Sequence, residues 1–219
     1  LVTPIDQMHS ENPPSHPELL QWLARDTVEH EYDLRRLIRG LVLSKAYSRS
    51  SRWEGEGEAP RAKLFALANV RALTPMQLAT SLRLATTDPA ALTAGKPDEV
   101  EKRLAGLEEA ARGFAPLIEQ PRDDFQISVS EALLFSNMDR MQKEFLADSG
   151  DRLVGRLKQI KDPDEAIELA VRTVLSRPPN ETERKVFREY WDARKDRPVE
   201  AYRQLVWAML TSAEFRFNY

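Results

Sequence analysis

Four side chains near the start of the chain, Asp6, His9, Glu11 and His16, carry the donor atoms of a metal site, imidazole nitrogen and carboxylate oxygen. They lie in a proline-broken segment with no i, i+4 pairing, so no helical face gathers them, and no metal is expected there. Asp123, Asp124 and Asp139, near Asn137, are carboxylates of the kind a hydrolase would use as a pair about 5–9 Å apart. Helix starts attract aspartate for capping and dipole reasons alone, and that is the reading adopted. Ser15, Ser44, Ser128 and Ser130 sit in no nucleophile elbow, and no glycine-rich phosphate loop precedes a helix. The sequence contains no Cys, which excludes disulfides, thiolate nucleophiles, Cys-ligated zinc and covalent haem attachment. No catalytic residue, no cofactor and no metal ligand is assigned.

Binding chemistry is better represented. Arg35, Arg36 and Arg39 share the polar side of one amphipathic stretch, and Arg184, Arg188 and Arg194 recur later. Guanidinium forks suit sulfate, phosphate or an anionic glycan. Glu29, Glu31, Glu183 and Glu189 are interspersed with them, as on a solvated helix. Tyr47 and Trp53 flank a Ser/Gly/Glu-rich loop and form a candidate contact with a protein or sugar. Trp22, Trp191 and Trp207 fall at helical spacing among apolar neighbours and are expected in the core. The net charge of -3 gives no general attraction for nucleic acid, and no apolar run has the length of a membrane span. Arg outnumbers Lys 23 to 9, which genomic base composition explains more simply than anion binding.

The elements that must position these groups are helices. Residues 1–14 hold three prolines and no period, and read as an irregular arm. Ser15, with Pro17 and Glu18 behind it, reads as a capping box. The helix that follows carries Leu20, Leu23, Ala24, Thr27 and Val28 on one stripe. From Asp33 a second helix places Leu34, Leu37, Ile38, Leu41 and Val42 at i, i+3, i+4, i+7 and i+8, after a link of about four residues that suggests a helical hairpin. Ser48–Pro60 reads as an exposed loop, and Thr86–Pro97 as another. Thr74-Pro75-Met76-Gln77 starts a helix lined by Leu78, Leu82 and Ala85.

The longest helix is expected over Asp98–Ala115, with Val100, Leu104, Leu107, Ala111 and Phe114 inward, and Gly106 and Gly113 admitting a close neighbour. Phe125–Val129 alternates briefly like a strand. Helices are then expected over Ser130–Asn137, Asp139–Ala147 and Asp151–Ile160. Another follows the cap at Asp162, one opens at Asn180 with Val186, Phe187, Tyr190 and Trp191 inward, and the last begins at Pro198.

Several blocks together resemble a family. They are Asn12-Pro13-Pro14-Ser15-His16-Pro17-Glu18-Leu19-Leu20, Tyr32-Asp33-Leu34-Arg35-Arg36-Leu37-Ile38-Arg39, Leu43 through Ser51, Leu73-Thr74-Pro75-Met76-Gln77-Leu78, Ser130 through Asn137, Leu175-Ser176-Arg177-Pro178-Pro179 and Leu205 through Phe215. The chain is similar in these to the C-terminal domain of unknown function of large planctomycete proteins, often preceded by a cytochrome-c-like domain. It departs at Thr211, where the family pattern has Asn, and between Trp53 and Val70. The resemblance implies an exported or cell-envelope protein and carries over no activity and no catalytic residue. Leu1 without a preceding Met suggests a processed product or a piece of something longer, lacking any upstream Cys-x-x-Cys-His.

The expectation is therefore an all-α, orthogonally packed or bundle-like domain of about ten helices over residues 15–219, with a subdomain division near 116–129. Its expected role is a non-catalytic scaffold or interaction module, with Tyr47, Trp53, Arg35, Arg36 and Arg39 as candidate interaction surface. Its expected partners are other domains of the parent protein, or a protein or anionic glycan. The alternatives are a helical unit of an exported polysaccharide-processing enzyme and a docking surface for a cytochrome domain.

Overall fold

The structure, a computed structural model, describes residues 1–2, 7–121, 129–137, 139 and 141–218. It is all-α, with eleven α-helices and one pair of two-residue strands among the described residues. The chain divides into two compact units, Leu1–Arg71 and Ala72–Asn218. Half of the residues around the division expected near 116–129, namely 122–128, lie outside the description.

In the first unit α1 spans Pro17–Glu29 and α2 spans Leu34–Val42, and a 3₁₀ turn forms at Ala62–Leu64. Proline at the first helical position sets the start of α1, so the cap falls on His16, one residue later than expected. Ser15 makes no cap. Its amide donates to the Leu1 carbonyl at 2.9 Å, and its hydroxyl lies 3.0 Å from His16 Nδ1. The four-residue link turns through Glu31 and Tyr32, both left-handed at φ 53° and 61°, a conformation that costs non-glycine residues energy. Asp33 then caps α2 by accepting from the Arg36 amide at 3.0 Å.

The second unit holds α3 (Pro75–Ala85), α4 (Pro89–Thr93), α5 (Pro97–Arg112), α6 (Val129–Asn137), α7 (Leu153–Leu157), α8 (Pro163–Leu175), α9 (Glu181–Asp192), α10 (Pro198–Leu210) and α11 (Ala213–Arg216). Its caps are those its residues specify. Thr74 and Gln77 form a reciprocal box on α3, Asn180 and Glu183 another on α9, and Asp162 accepts from the Asp164 amide on α8. α10 is the central element and packs on α7, α8 and α9, because Tyr202, Leu205, Val206, Met209 and Leu210, at i, i+3, i+4, i+7 and i+8, give it one broad buried stripe. α3 lies against α5, and Leu82 and Phe114 are wholly buried there. Phe114 meets Phe145 edge-on, with centroids 4.9 Å apart. Arg83, buried, pairs with Glu144 and lies 4.6 Å over the Phe145 ring.

Several expectations need correction. Thr86–Pro97 contains α4, started by Asp88 as cap and Pro89 at the first position; Asp88 accepts from the Ala90 amide at 3.1 Å. The helix expected over Asp151–Ile160 is confined to Leu153–Leu157, and the one expected over Asp139–Ala147 is helical at Asp139, continues among the described residues as a π-helical turn at Met141–Phe145 and ends there. α5 buries only its C-terminal end: Leu104 is exposed while Ala111 and Phe114 are buried. No atom comes within 4 Å of a Cβ placed at Gly106, and at Gly113 only the backbone of Ala110 does, so neither glycine admits a neighbouring helix. Val186 faces solvent, whereas Phe187, Tyr190 and Trp191 pack on the core. The alternating stretch Phe125–Val129 lies outside the described residues up to Val129, which opens α6.

Candidate interaction surface

The first unit is unusual in its burial. None of its described residues is buried, although it contains two amphipathic helices. Of the nineteen large apolar residues that are exposed among the described ones, fifteen, Met8 through Val70, belong to it. The stripe on α2 that the spacing marks as inward is uncovered: Leu34 and Ile38 are 60% and 58% exposed, and Leu41 and Val42 are exposed with them. Leu37 alone of that stripe is half-buried. Trp22, expected in the core, is 60% exposed.

One ion pair ties α2 to α1 within the unit. Asp26 of α1 accepts from Arg36 Nη1 at 2.5 Å and Nη2 at 3.2 Å. The Arg36 guanidinium holds the Asp26 carboxyl below the usual aspartate range, and the carboxylate in turn raises Arg36. Arg36 is therefore already satisfied. Arg35 and Arg39 have no carboxylate partner among the described residues, and remain available to an external anion.

Beyond α2 the backbone turns at Ser44, whose hydroxyl donates to the Leu41 carbonyl at 2.7 Å and accepts from the Tyr47 amide at 3.2 Å. That turn sets Tyr47, 65% exposed, at the end of the helix. Trp53 behaves differently. Its indole N–H donates to the Gly57 carbonyl at 3.2 Å, and its ring lies where a side chain at Gly55 would stand. The Gly-Glu loop thus folds around Trp53, leaving 43% of it exposed. Arg49 ties the loop's start to the Ala66 carbonyl at 2.9 Å, and the Ala68 amide donates to Ser50.

The residues weighed for metal or hydrolytic chemistry do not converge among the described ones. His9 accepts from the Glu11 amide at 3.3 Å, His16 lies by Ser15 and Phe65, and no group of three His, Asp or Glu side chains gathers. Asp139 is exposed and pairs with Lys143, which lowers its pKa. Asp6, Asp123 and Asp124 lie outside the described residues. The later arginines are engaged: Arg184 meets Glu168 at 3.0 Å, Arg188 meets Asp164 at 2.8 Å, and Arg194 stacks 3.8 Å over Tyr190.

Sequence reasoning missed two features of the second unit. One is an open groove of about 660 Å³ between α3, α4, α8 and α11, lined by Ser81, Leu84, Leu92, Leu169, Thr173 and Ser176. Its lining is mainly apolar, and Arg172 at its edge is committed to Glu168. The other is a clamp. Arg177 donates to Glu183 (2.8 and 2.6 Å) and to Glu214 (2.5 and 2.7 Å), fastening the α8–α9 link to α11. Glu183 is legible as a capping residue, but no local signal ties Arg177 to Glu214, 37 positions on.

No curated protein and no solved structure matches the chain. A family model matches residues 1–112, which take in the whole first unit and the second through α5. The chain belongs to the family described as PSD1, protein of unknown function (DUF1553).

Proposed function

We propose that this chain is a non-catalytic helical interaction module of a larger exported, multidomain protein of the planctomycete type. The second unit is its rigid support and the first its docking surface for other domains of the same polypeptide. The observation that carries this reading is the contrast in burial: one unit has a continuous core, while the other has two amphipathic helices and no buried residue among those described.

The docking face assigned to these domains is that of α1, where Leu19 and Trp22 are exposed, with Leu64 and Phe65. Covering four side chains that are each about half exposed gains about 1 kcal/mol apiece. A separate partner must offset at least about 4 kcal/mol of lost translational and rotational freedom, which consumes that gain. A tethered domain escapes most of that cost through its high effective concentration. This favours the parent's own domains as occupants.

The chain's lack of Cys permits a direct test. A thiol introduced as Trp22→Cys should react with maleimide at least tenfold more slowly in the parent polypeptide than in the 219-residue chain, while Glu58→Cys in the exposed loop reacts equally in both. Equal rates at position 22 would refute the docking role.

A further inference from the structure

The α2 face differs from the rest of the first unit in its charge. Between Leu34 and Trp53 the chain carries six basic residues, Arg35, Arg36, Arg39, Lys45, Arg49 and Arg52, and no acidic one. Five of the six have no ion-pair partner among the described residues, and of these only Arg49 is engaged by its side chain, on the Ala66 carbonyl. At about 100° per residue, Leu34, Leu37, Ile38, Leu41 and Val42 occupy an arc of about 140°, and Arg35 and Arg39 follow at its edge beside Val42. Arg36, on the far side, is turned to Asp26. Tyr47 stands exposed at the helix end.

We propose that this face is a peripheral contact for an anionic lipid bilayer, with Leu34, Ile38, Leu41 and Val42 entering the headgroup boundary and the free cations lying over anionic phosphates. It rests on the reading of the first unit as a docking surface and gives α2 its own occupant, distinct from the domains assigned to α1. The chemistry selects this occupant. An aliphatic arc finds nothing to bury against on a glycan or nucleic acid, whereas an interfacial helix needs a segregated apolar arc, a cationic rim and an amphipathic aromatic. The five of these cations that no carboxylate neutralises complement an anionic surface and would be repelled by a cationic one.

The test is sedimentation of the 219-residue chain with vesicles of phosphatidylcholine alone and of phosphatidylcholine mixed with phosphatidylglycerol. Binding should be at least tenfold tighter to the mixed vesicles and should weaken as salt screens the attraction. Arg35→Gln with Arg39→Gln should lower the partition about 25-fold, about fivefold for each charge removed near the surface. Ile38→Asn with Leu41→Asn, checked for retained helicity, should lower it about tenfold or more. Equal binding to both vesicles, binding unaffected by the Asn pair, or no vesicle binding would each overturn the proposal. Binding to polyglutamate in place of vesicles would also overturn it and assign the face to an acidic protein. In any of these cases, protection of Trp22→Cys in the parent polypeptide leaves the docking role of α1 standing.

Discussion

Replacing Arg177 by Met tests how the second unit is held together, because it removes two bidentate pairs and keeps the length of the side chain. Arg177 faces Glu183 and Glu214 through four nitrogen–oxygen distances between 2.5 and 2.8 Å, among half-buried groups. An exposed pair contributes at most about 1 kcal/mol; bidentate geometry and partial burial place each of these near that upper bound. Arg177→Met should therefore cost about 2 kcal/mol, or about 4–8 °C in Tm for a chain of this size. The assay is urea unfolding in a background of Trp22→Phe and Trp53→Phe, so that fluorescence reports Trp191 and Trp207 of the second unit.

Glu183→Gln retains a capping-box side chain, so a double-mutant cycle with Arg177→Met isolates the charge pair and should return a coupling of about 1 kcal/mol. The pH dependence has a definite sign. Arg177 depresses the Glu183 pKa below its ordinary 4.5, so this carboxylate contributes stability above that value and loses it as pH falls through the lower folded one. The gap between wild type and Arg177→Met should narrow as pH falls below 4.5 and close once pH passes the lowered folded value. A coupling near zero, or a gap independent of pH, would refute the clamp.

Two glycines should respond in opposite directions. Gly155→Ala places a Cβ against the Ser149 carbonyl inside α7 and should cost about 1–3 kcal/mol, whereas Gly106→Ala, exposed and free of neighbours in α5, should stabilise by about 0.5–1 kcal/mol. Leu82→Ala, at a fully buried site, should cost about 2–5 kcal/mol in the same urea titration. Thr74→Ala breaks the box on α3 and should cost about 1 kcal/mol.

Local signals were legible in proportion to how local they are. Thr74 with Gln77, Asn180 with Glu183, and Asp162 ahead of Pro163 each complete their bonds within three residues, so spacing alone identifies the helix start. Asp88-Pro89 is the same kind of signal, hidden in a segment whose overall composition reads as loop. Periodicity reports that a helix has two sides and says nothing of what covers the apolar one. Leu34, Ile38, Leu41 and Val42 on α2 keep the rule as well as Ile167, Ala170, Val171 and Val174 on α8, yet only the latter are buried. For the interaction surface, sequence gathered Arg35, Arg36, Arg39, Tyr47 and Trp53 into one segment. It could not distinguish Arg36, neutralised across a helix pair by Asp26, from Arg35 and Arg39 beside it. The link from Arg177 to Glu214 depends on the tertiary fold bringing α11 back to the α8–α9 link.

Amide hydrogen exchange along the 219-residue chain addresses the central contrast most directly. A unit with no buried side chain among its described residues opens at little cost, so amides of α1 and α2 should exchange with protection orders of magnitude below those of α8 and α10, which should open only with global unfolding. Equal protection in all four helices would mean that the first unit possesses a core of its own, and would contradict the account.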